Sequence, residues 1–394
     1  MISPVGHARF TDELPLHHNP DEPITATAAR SDRYSVHVLP SEADSVKTLL
    51  GEIDGRRVAL ITDDTVAALH ARRLSRMLAD NGVDVSMTSV PPGETSKSLR
   101  TAFELLDWLT GTAMARRDVL MAVGGGMVID LVGWVASAYM RGIPYVNVPT
   151  TLLAQVDAAL GGKVAVDHDS AKNLIGAFYQ PKSVVSNVSY LSTLDDRQMR
   201  SGLAEAIKKG VIASPDLFEL IDVTAAEILR GETVALERLV AGASEIKCRL
   251  IARDPYEEDL RRPLNFGHTV GHAVETVTGY GPVLHGEAVA FGMAVAVRIA
   301  ENRGLADPAD LAPLLALLRR IGLPTSLGDL PVQVSADEIV GALGQIRKIR
   351  GGSLRFVLPI RLGETLIADD LTHEEIRSAL LSANGDGPDP APSR

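Results

Sequence analysis

The sequence predicts an α/β N-terminal domain with a parallel sheet, followed by an all-α C-terminal domain, with the active site in the cleft between them. Three observations carry this expectation. From Tyr34 onward, short apolar runs alternate with amphipathic helical patterns, the signature of a parallel sheet covered by helices. One run, DVLMAVGGG, passes straight into glycines and then into a helical pattern. After about residue 185 the strand patterns give way to long helical ones. A chain of 394 residues is long enough for two domains.

In order along the chain, residues 1–32 are polar, Pro-containing and aperiodic, and are expected to form a mobile extension. YSVHVLP is strand-like, and RRVALITDD is a buried strand ending in Asp63 and Asp64. TVAALHARRLSRMLADNG is an amphipathic helix closed by Asn81–Gly82. VDVSMTSVPP is a strand, SLRTAFELLDWLTGT a helix, DVLMAVGGG a strand and YVNVPTT another strand. The first domain is placed at 33–185 and a helical one at 186–380. The helical patterns in the latter include GLAEAIKKGVI, DLFELIDVTAAEILRG, TVALERLVAGASEIKCRLIA, GHTVGHAVETVTG and LHGEAVAFGMAVAVRIAENRG. Residues 381–394 are expected to be a disordered tail.

Composition narrows the function classes. Apolar residues make up 45% of the chain, as in globular proteins, and the net charge of −11 argues against a general nucleic-acid surface. An anionic small substrate stays compatible with that charge, because a few local Lys and Arg make a positive pocket. A single cysteine, Cys248, excludes intrachain disulfides and Cys-based metal clusters and suits a cytoplasmic location. The N-terminus has no basic start followed by an apolar run, so no signal peptide is expected. AVAFGMAVAV is too short for a bilayer and reads as a buried helix.

Four motifs carry chemistry. VGGGMVID (Val123 to Asp130) is strand, glycines, helix: backbone N–H groups there can approach a pyrophosphate at a helix N-terminus, giving a Rossmann-like nucleotide-binding domain. It is not GxGxxG, and a plain tight turn is the alternative. PPGETSKS adds a polar loop, and Asp63 ends a strand where a ribose hydroxyl can be held. NFGHTVGH (Asn265 to His272) puts His268 and His272 four apart on one helix face. It is not HExxH, so hydrolysis through a glutamate-activated water is not indicated. His285 and Glu205 are candidates to complete a set of two His and one carboxylate, a type that leaves positions open for substrate. LAEAIKKG places Glu205 and Lys208 on one helix face, where a surface ion pair is the alternative. AQVDAALGGKVAVDHDSAKNLIGAFYQP concentrates Asp157, Lys163, Lys172 and Asn173 in a glycine-bearing stretch: an anion pocket or a solvated loop.

Together these motifs resemble the 3-dehydroquinate synthase family, the sugar-phosphate cyclases. The match runs from about Tyr34 to about residue 370. GGG…D…YMRG, VPTTLLAQVD, GGK, KN-IGAFYQP, LAE-IK-G, NFGHT-GHA-E and LHGEAVA-GM occur in the family's order and spacing. The resemblance implies a carbon–oxygen lyase that uses NAD and a divalent metal, zinc or cobalt. Bound NAD oxidises a ring hydroxyl, phosphate is eliminated, the hydride is returned, and an intramolecular aldol step closes the carbocycle.

Carried over position by position, Glu205, His268 and His285 match metal ligands. Asp157 and Lys208 match residues that orient ring hydroxyls. Lys163, Asn173, Asn265 and His272 match a phosphate-side pocket, with His272 as acid–base group, and Lys348 matches a further phosphate contact. Asp63, Glu94, Lys97, Gly125, Gly126, Asp130, Thr150, Thr151, Lys172 and Thr193 fall to the cofactor. Arg141 matches an arginine donated across a homodimer interface, and Lys247 with Arg261 matches a pair that binds a substrate carboxylate.

The chain departs from dehydroquinate synthases in three places. It reads GGKVAVD, with Val164, Ala165 and Asp167, where they read GGKTGVN. It has Ile129–Asp130 for their GD, and Ile346–Arg347–Lys348 for their DKK. Because Lys247 and Arg261 are both present, and Arg suits bidentate carboxylate binding, the expected substrate is 3-deoxy-D-arabino-heptulosonate 7-phosphate, giving 3-dehydroquinate. The alternative is a secondary-metabolism cyclase acting on sedoheptulose 7-phosphate, with a valiolone-type product, on an amino analogue or on glucose 6-phosphate. A metal-dependent NAD alcohol or glycerol dehydrogenase is a further alternative. A regulatory nucleotide-binding protein that has lost catalysis is the non-enzymatic one.

Overall fold

The structure, a computed structural model, describes residues 32–168, 171–256, 262–349 and 354–382. The extension expected at 1–32 and the tail expected at 381–394 fall almost wholly outside these residues. From Tyr34 the chain packs as one compact unit, so the change of pattern near residue 185 is a change of architecture within one body.

The first half is built on a six-stranded parallel sheet: β1 (Ser35–Leu39), β2 (Val58–Asp63), β3 (Val85–Val90), β4 (Val119–Gly124), β5 (Tyr145–Pro149) and β8 (Ser183–Asn187), in the order β1-β8-β5-β4-β2-β3. The central strands β2 and β4 are buried along their whole length, which is why VALI and VLMAVG read as continuous apolar runs without alternation. Helices α1 (Glu42–Ile53), α2 (Arg72–Asp80), α3 (Leu99–Gly111) and α4 (Gly126–Ala138) cross between them. From β2 the chain steps to β3 on one side and then back to β4 on the other. The carboxyl ends of β2 and β4 therefore flank the topological switch point, where open α/β sheets bind ligands.

Between β5 and β8 the glycine-bearing stretch forms an antiparallel hairpin, β6 (Lys163–His168) and β7 (Ala171–Phe178), in place of the open loop its composition also allowed. It lies on α4: a Cβ on Gly133 would come within 2.3 Å of Val164 Cγ1, so Val164 is seated where the helix surface is bare.

The second half is helical as expected: α5 (Asp196–Ala213), α6 (Pro215–Leu229), α7 (Thr233–Arg253), α8 (His268–Val277), α9 (His285–Asn302), α10 (Pro308–Arg320), α11 (Ala336–Ile349) and α12 (His373–Leu381). One departure from an all-α half is a hairpin, β9 (Phe356–Arg361) and β10 (Glu364–Ala368), packed on α9. Helix α5 is the axis of this half, with residues 201 to 212 buried on every side. Helices α5, α8 and α9 approach closely because glycines face the contacts. A Cβ on Gly286 would lie 1.9 Å from the Ser201 carbonyl oxygen, and one on Gly292 would lie 1.9 Å from that of Gly267. Gly267 itself precedes α8 at φ 78°, in the left-handed region.

Candidate functional site

A cleft of about 550 Å³ opens between the hairpin β6–β7, the turn after β5 and the N-termini of α8 and α9. His268 and His285 are each the first residue of their helix, and both imidazoles converge on a carboxylate from α5. Nε2 of each lies 3.7 Å from Glu205 Oε1. Glu205 is fully buried, and neither of its oxygens has a hydrogen bond of sound geometry, although Lys208 Nζ stands 2.5 Å from Oε2.

Burial pushes the Glu205 carboxyl up, but Lys208, then His285 and His268, outweigh it and hold it well below the ordinary carboxylate range. Burial and Lys208 push His268 well down. His285 goes the other way, to about 10, because the carboxylates of Glu205 and Glu275 on either side of its ring overcome its burial. A buried, ionised carboxylate with an unbonded oxygen aimed at two imidazoles fits a divalent cation, and the donor set suits zinc. The helix i, i+4 neighbour His272 lines the same cleft with its ring 5.3 Å from that of His268.

Behind this trio lies a charged layer. Asp157 sits on a π-type turn, Ala154–Ala158, a local widening of the helix that is frequent at functional sites. Its carboxylate is held by Lys209 Nζ at 2.8 Å and Lys247 Nζ at 2.9 Å. Lys247 also donates to the Asp157 carbonyl at 2.7 Å. Burial would raise the Asp157 carboxyl, but Lys209, Lys247 and Lys208 hold it well below its usual range. Burial lowers Lys247 to about 8, against the pull of Asp157. Lys209, fully buried, escaped the sequence analysis. Only its place next to Lys208 in KKG hinted at it, and its partner lies more than fifty residues away. Glu205 and Lys208, for which a surface ion pair was the alternative, are a buried pair.

The hairpin closes the other wall. Lys97 Nζ donates to Asp130 Oδ2 at 2.6 Å and also to Asn173 Oδ1. Asn173, at φ 55°, has its backbone N–H held by Asp167 Oδ1 at 2.8 Å. Asp167 is thus a structural member of the hairpin rather than an isolated departure. Lys172 pairs with Glu94 at 3.1 Å and lies 4.3 Å from the Tyr280 ring centroid. Lys163, Asn173, Lys208, Lys247 and Asn265 line the cleft, and so does Asp130, expected among the cofactor contacts.

The expected nucleotide residues gather at the switch point. Asp63 ends β2 and caps the next turn, accepting from Val66 N–H at 2.9 Å. Gly125 caps α4 with no side-chain bond to its N–H groups. A Cβ on Gly124 would meet Val128 at 2.6 Å and one on Gly125 would meet Thr151 at 3.1 Å, so this cradle accepts only bare backbone and fits a pyrophosphate. Thr150 N–H bonds the Gly124 carbonyl at 2.9 Å, and Thr151 Oγ1 accepts from Ala154 N–H at 3.1 Å. Thr193 is tied to the buried His70 at 2.8 Å, a partner that sequence reading missed.

One expected residue is not brought to this cleft. Arg141 is exposed at φ 64° on a turn after α4. Arg261 lies outside the described residues, and so does the side chain of Lys348.

The chain is similar to known proteins over most of its length. Two family models match in succession, 3-dehydroquinate synthase N-terminal over residues 87–201 and 3-dehydroquinate synthase C-terminal over residues 202–348. A 2-epi-valiolone synthase from Actinosynnema mirum is 58% identical over 381 residues, covering 97% of this chain and 99% of its own. A 3-dehydroquinate synthase from Desulforamulus reducens is 42% identical over 348 residues, covering 88% and 96%. Among solved structures, a 2-epi-5-epi-valiolone synthase from Streptomyces hygroscopicus subsp. jinggangensis, with NAD+ and Zn2+ bound, is similar with a TM-score of 0.83 and 30% identity. The match covers 91% of this chain and 99% of that one.

Proposed function

The chain belongs to the 3-dehydroquinate synthase family of sugar-phosphate cyclases, and from that premise we propose that it converts sedoheptulose 7-phosphate into a valiolone-type cyclitol with release of inorganic phosphate. The observation that carries this reading is the 58% identity to a 2-epi-valiolone synthase over 97% of the chain, against 42% over 88% for a 3-dehydroquinate synthase. It favours this substrate over the heptulosonate phosphate that Lys247 and Arg261 led us to expect. The site offers a physical reason. Lys247 is engaged by the carboxylate and the carbonyl of Asp157, so it is not a spare cation awaiting a substrate carboxylate.

When bound, NAD supplies the temporary oxidation of a ring hydroxyl and a divalent cation supplies Lewis-acid polarisation of the substrate oxygens. Glu205, His268 and His285 would hold the cation, and the glycine cradle after β4 would hold the cofactor pyrophosphate. Asp157 and Lys208 meet the sugar hydroxyls as fixed acceptor and donor. Lys163, Asn173 and Asn265 bind the phosphate, and His272 carries the proton that leaves carbon as the carbon–oxygen bond to phosphate breaks. A homodimer in which the exposed Arg141 reaches the partner's phosphate pocket completes the proposal, as does a cytoplasmic location. No described helix is long and apolar enough to cross a membrane.

The test is to incubate the protein with NAD and zinc and, separately, sedoheptulose 7-phosphate, 3-deoxy-D-arabino-heptulosonate 7-phosphate and glucose 6-phosphate. Phosphate release and product mass are then measured. Release from the first, with no net NADH, is expected. Release from heptulosonate phosphate alone would overturn the substrate, and net NADH with a plain alcohol would overturn the cyclase.

A further inference from the structure

We propose that Glu275 is a positioning residue of the metal centre, holding His285 from behind so that its Nε2 faces the cation. The inference rests on the reading of Glu205, His268 and His285 as ligands. Glu275 lies on α8, two turns beyond His268, and only 7% of it is exposed. Its Oε1 stands 3.3 Å from His285 Nδ1, while the opposite ring nitrogen faces Glu205. His285 thus lies between two buried carboxylates, and the one on the Nδ1 side fixes the tautomer that leaves Nε2 as donor to the cation.

His268 is oriented differently, by the carbonyl oxygen of Phe266 at 3.1 Å from its Nδ1. The two histidines therefore have unlike supports, one neutral and one anionic. Like His268, His285 opens a helix, whose N-terminal end carries positive partial charge and disfavours a cation there. The Glu275 carboxylate offsets that field. An isolated buried carboxylate would be costly, and the groups facing this one are His285 and His272, with Lys172 beyond them.

A rival arrangement is present in the same atoms. His272, Glu275 and His285 also lie within ligand spacing of one another, and in that set Glu275 would bind the metal itself.

The experiment compares the wild type with Glu275→Gln, Glu275→Ala, His268→Ala and His272→Ala. Each is loaded with cobalt, and the readouts are chelator competition, the visible spectrum and thermal unfolding of the metal-free form. Glu275→Ala is expected to lower metal affinity by about 10–100-fold, with the spectral coordination number and metal-free melting unchanged. Glu275→Gln, which still accepts from Nδ1–H, should fall between and serves if the alanine variant fails to fold. Wild-type affinity in both Glu275 variants would overturn the inference. Metal kept by His268→Ala and lost by His272→Ala would overturn it in favour of the rival set. A wild type that binds no cobalt or zinc would instead remove the metal reading on which it stands.

Discussion

Replacing Gly286 by Ala puts one methyl group where helix α9 touches α5. The added Cβ would lie 1.9 Å from the Ser201 carbonyl oxygen, 2.5 Å from its carbon and 2.6 Å from its Cα, all backbone atoms that no rotamer change can move. Ordinary contact begins near 3.4 Å, so the helices must separate by about 1.5 Å at this point. The Gly286 N–H also donates to Ser201 Oγ at 3.0 Å, and that bond stretches with them. His285 is the adjacent residue, and Glu205 is one turn along α5 from Ser201. A shift of this size exceeds the ligand-distance tolerance of a metal site, about 0.2 Å, several times over. The expected result is a folded protein destabilised by about 1–3 kcal/mol that retains substoichiometric zinc after gel filtration. Elemental analysis and denaturant unfolding of the chelator-treated protein separate the two effects. Full zinc occupancy together with wild-type stability would refute the argument that close helix approach seats His285 against Glu205.

Two further outcomes follow from the same geometry. His268→Ala should abolish phosphate release and lower bound metal, and a variant with full metal by elemental analysis would sink the ligand assignment. Lys247 should titrate near pH 8, burial being the main cause. Its folded value lies below the usual ~10.4 of a free lysine. Burying the charge therefore costs stability below pH 8, and that cost fades as pH rises from 8 toward the unfolded value. A lysine side-chain NMR signal with a midpoint near 8 that disappears in Lys247→Met is expected. If every lysine signal titrates near 10, the burial of Lys247 is wrong.

Much of this was legible from local pattern. β2 and β4 are fully buried, and VALI and VLMAVG are accordingly continuous apolar runs. The glycines after β4 announced a turn where backbone meets ligand, and His268 and His272 shared a helix face by spacing alone. The ordered string of motifs identified the family. What local pattern left open was which distant groups meet. Glu205 and Lys208 looked the same on paper whether exposed or buried. Lys209 needed Asp157, Glu275 needed His285 and His70 needed Thr193, each from an element brought near only by packing. The hairpin β6–β7 was hidden because its glycine-bearing composition suits a loop as well as strands, and its packing of Val164 over bare Gly133 on α4 is a contact between distant segments. The presence of Lys247 and Arg261 pointed to a carboxylate-bearing substrate. The fold places Lys247 on Asp157, a half-buried carboxylate that offsets the lost hydration of the ammonium. Sequence by itself therefore determined the architecture, the chemistry class and the residue types of the centre. Tertiary structure decided their pairings, because the energy of a buried charge depends on partners that chain order does not place beside it.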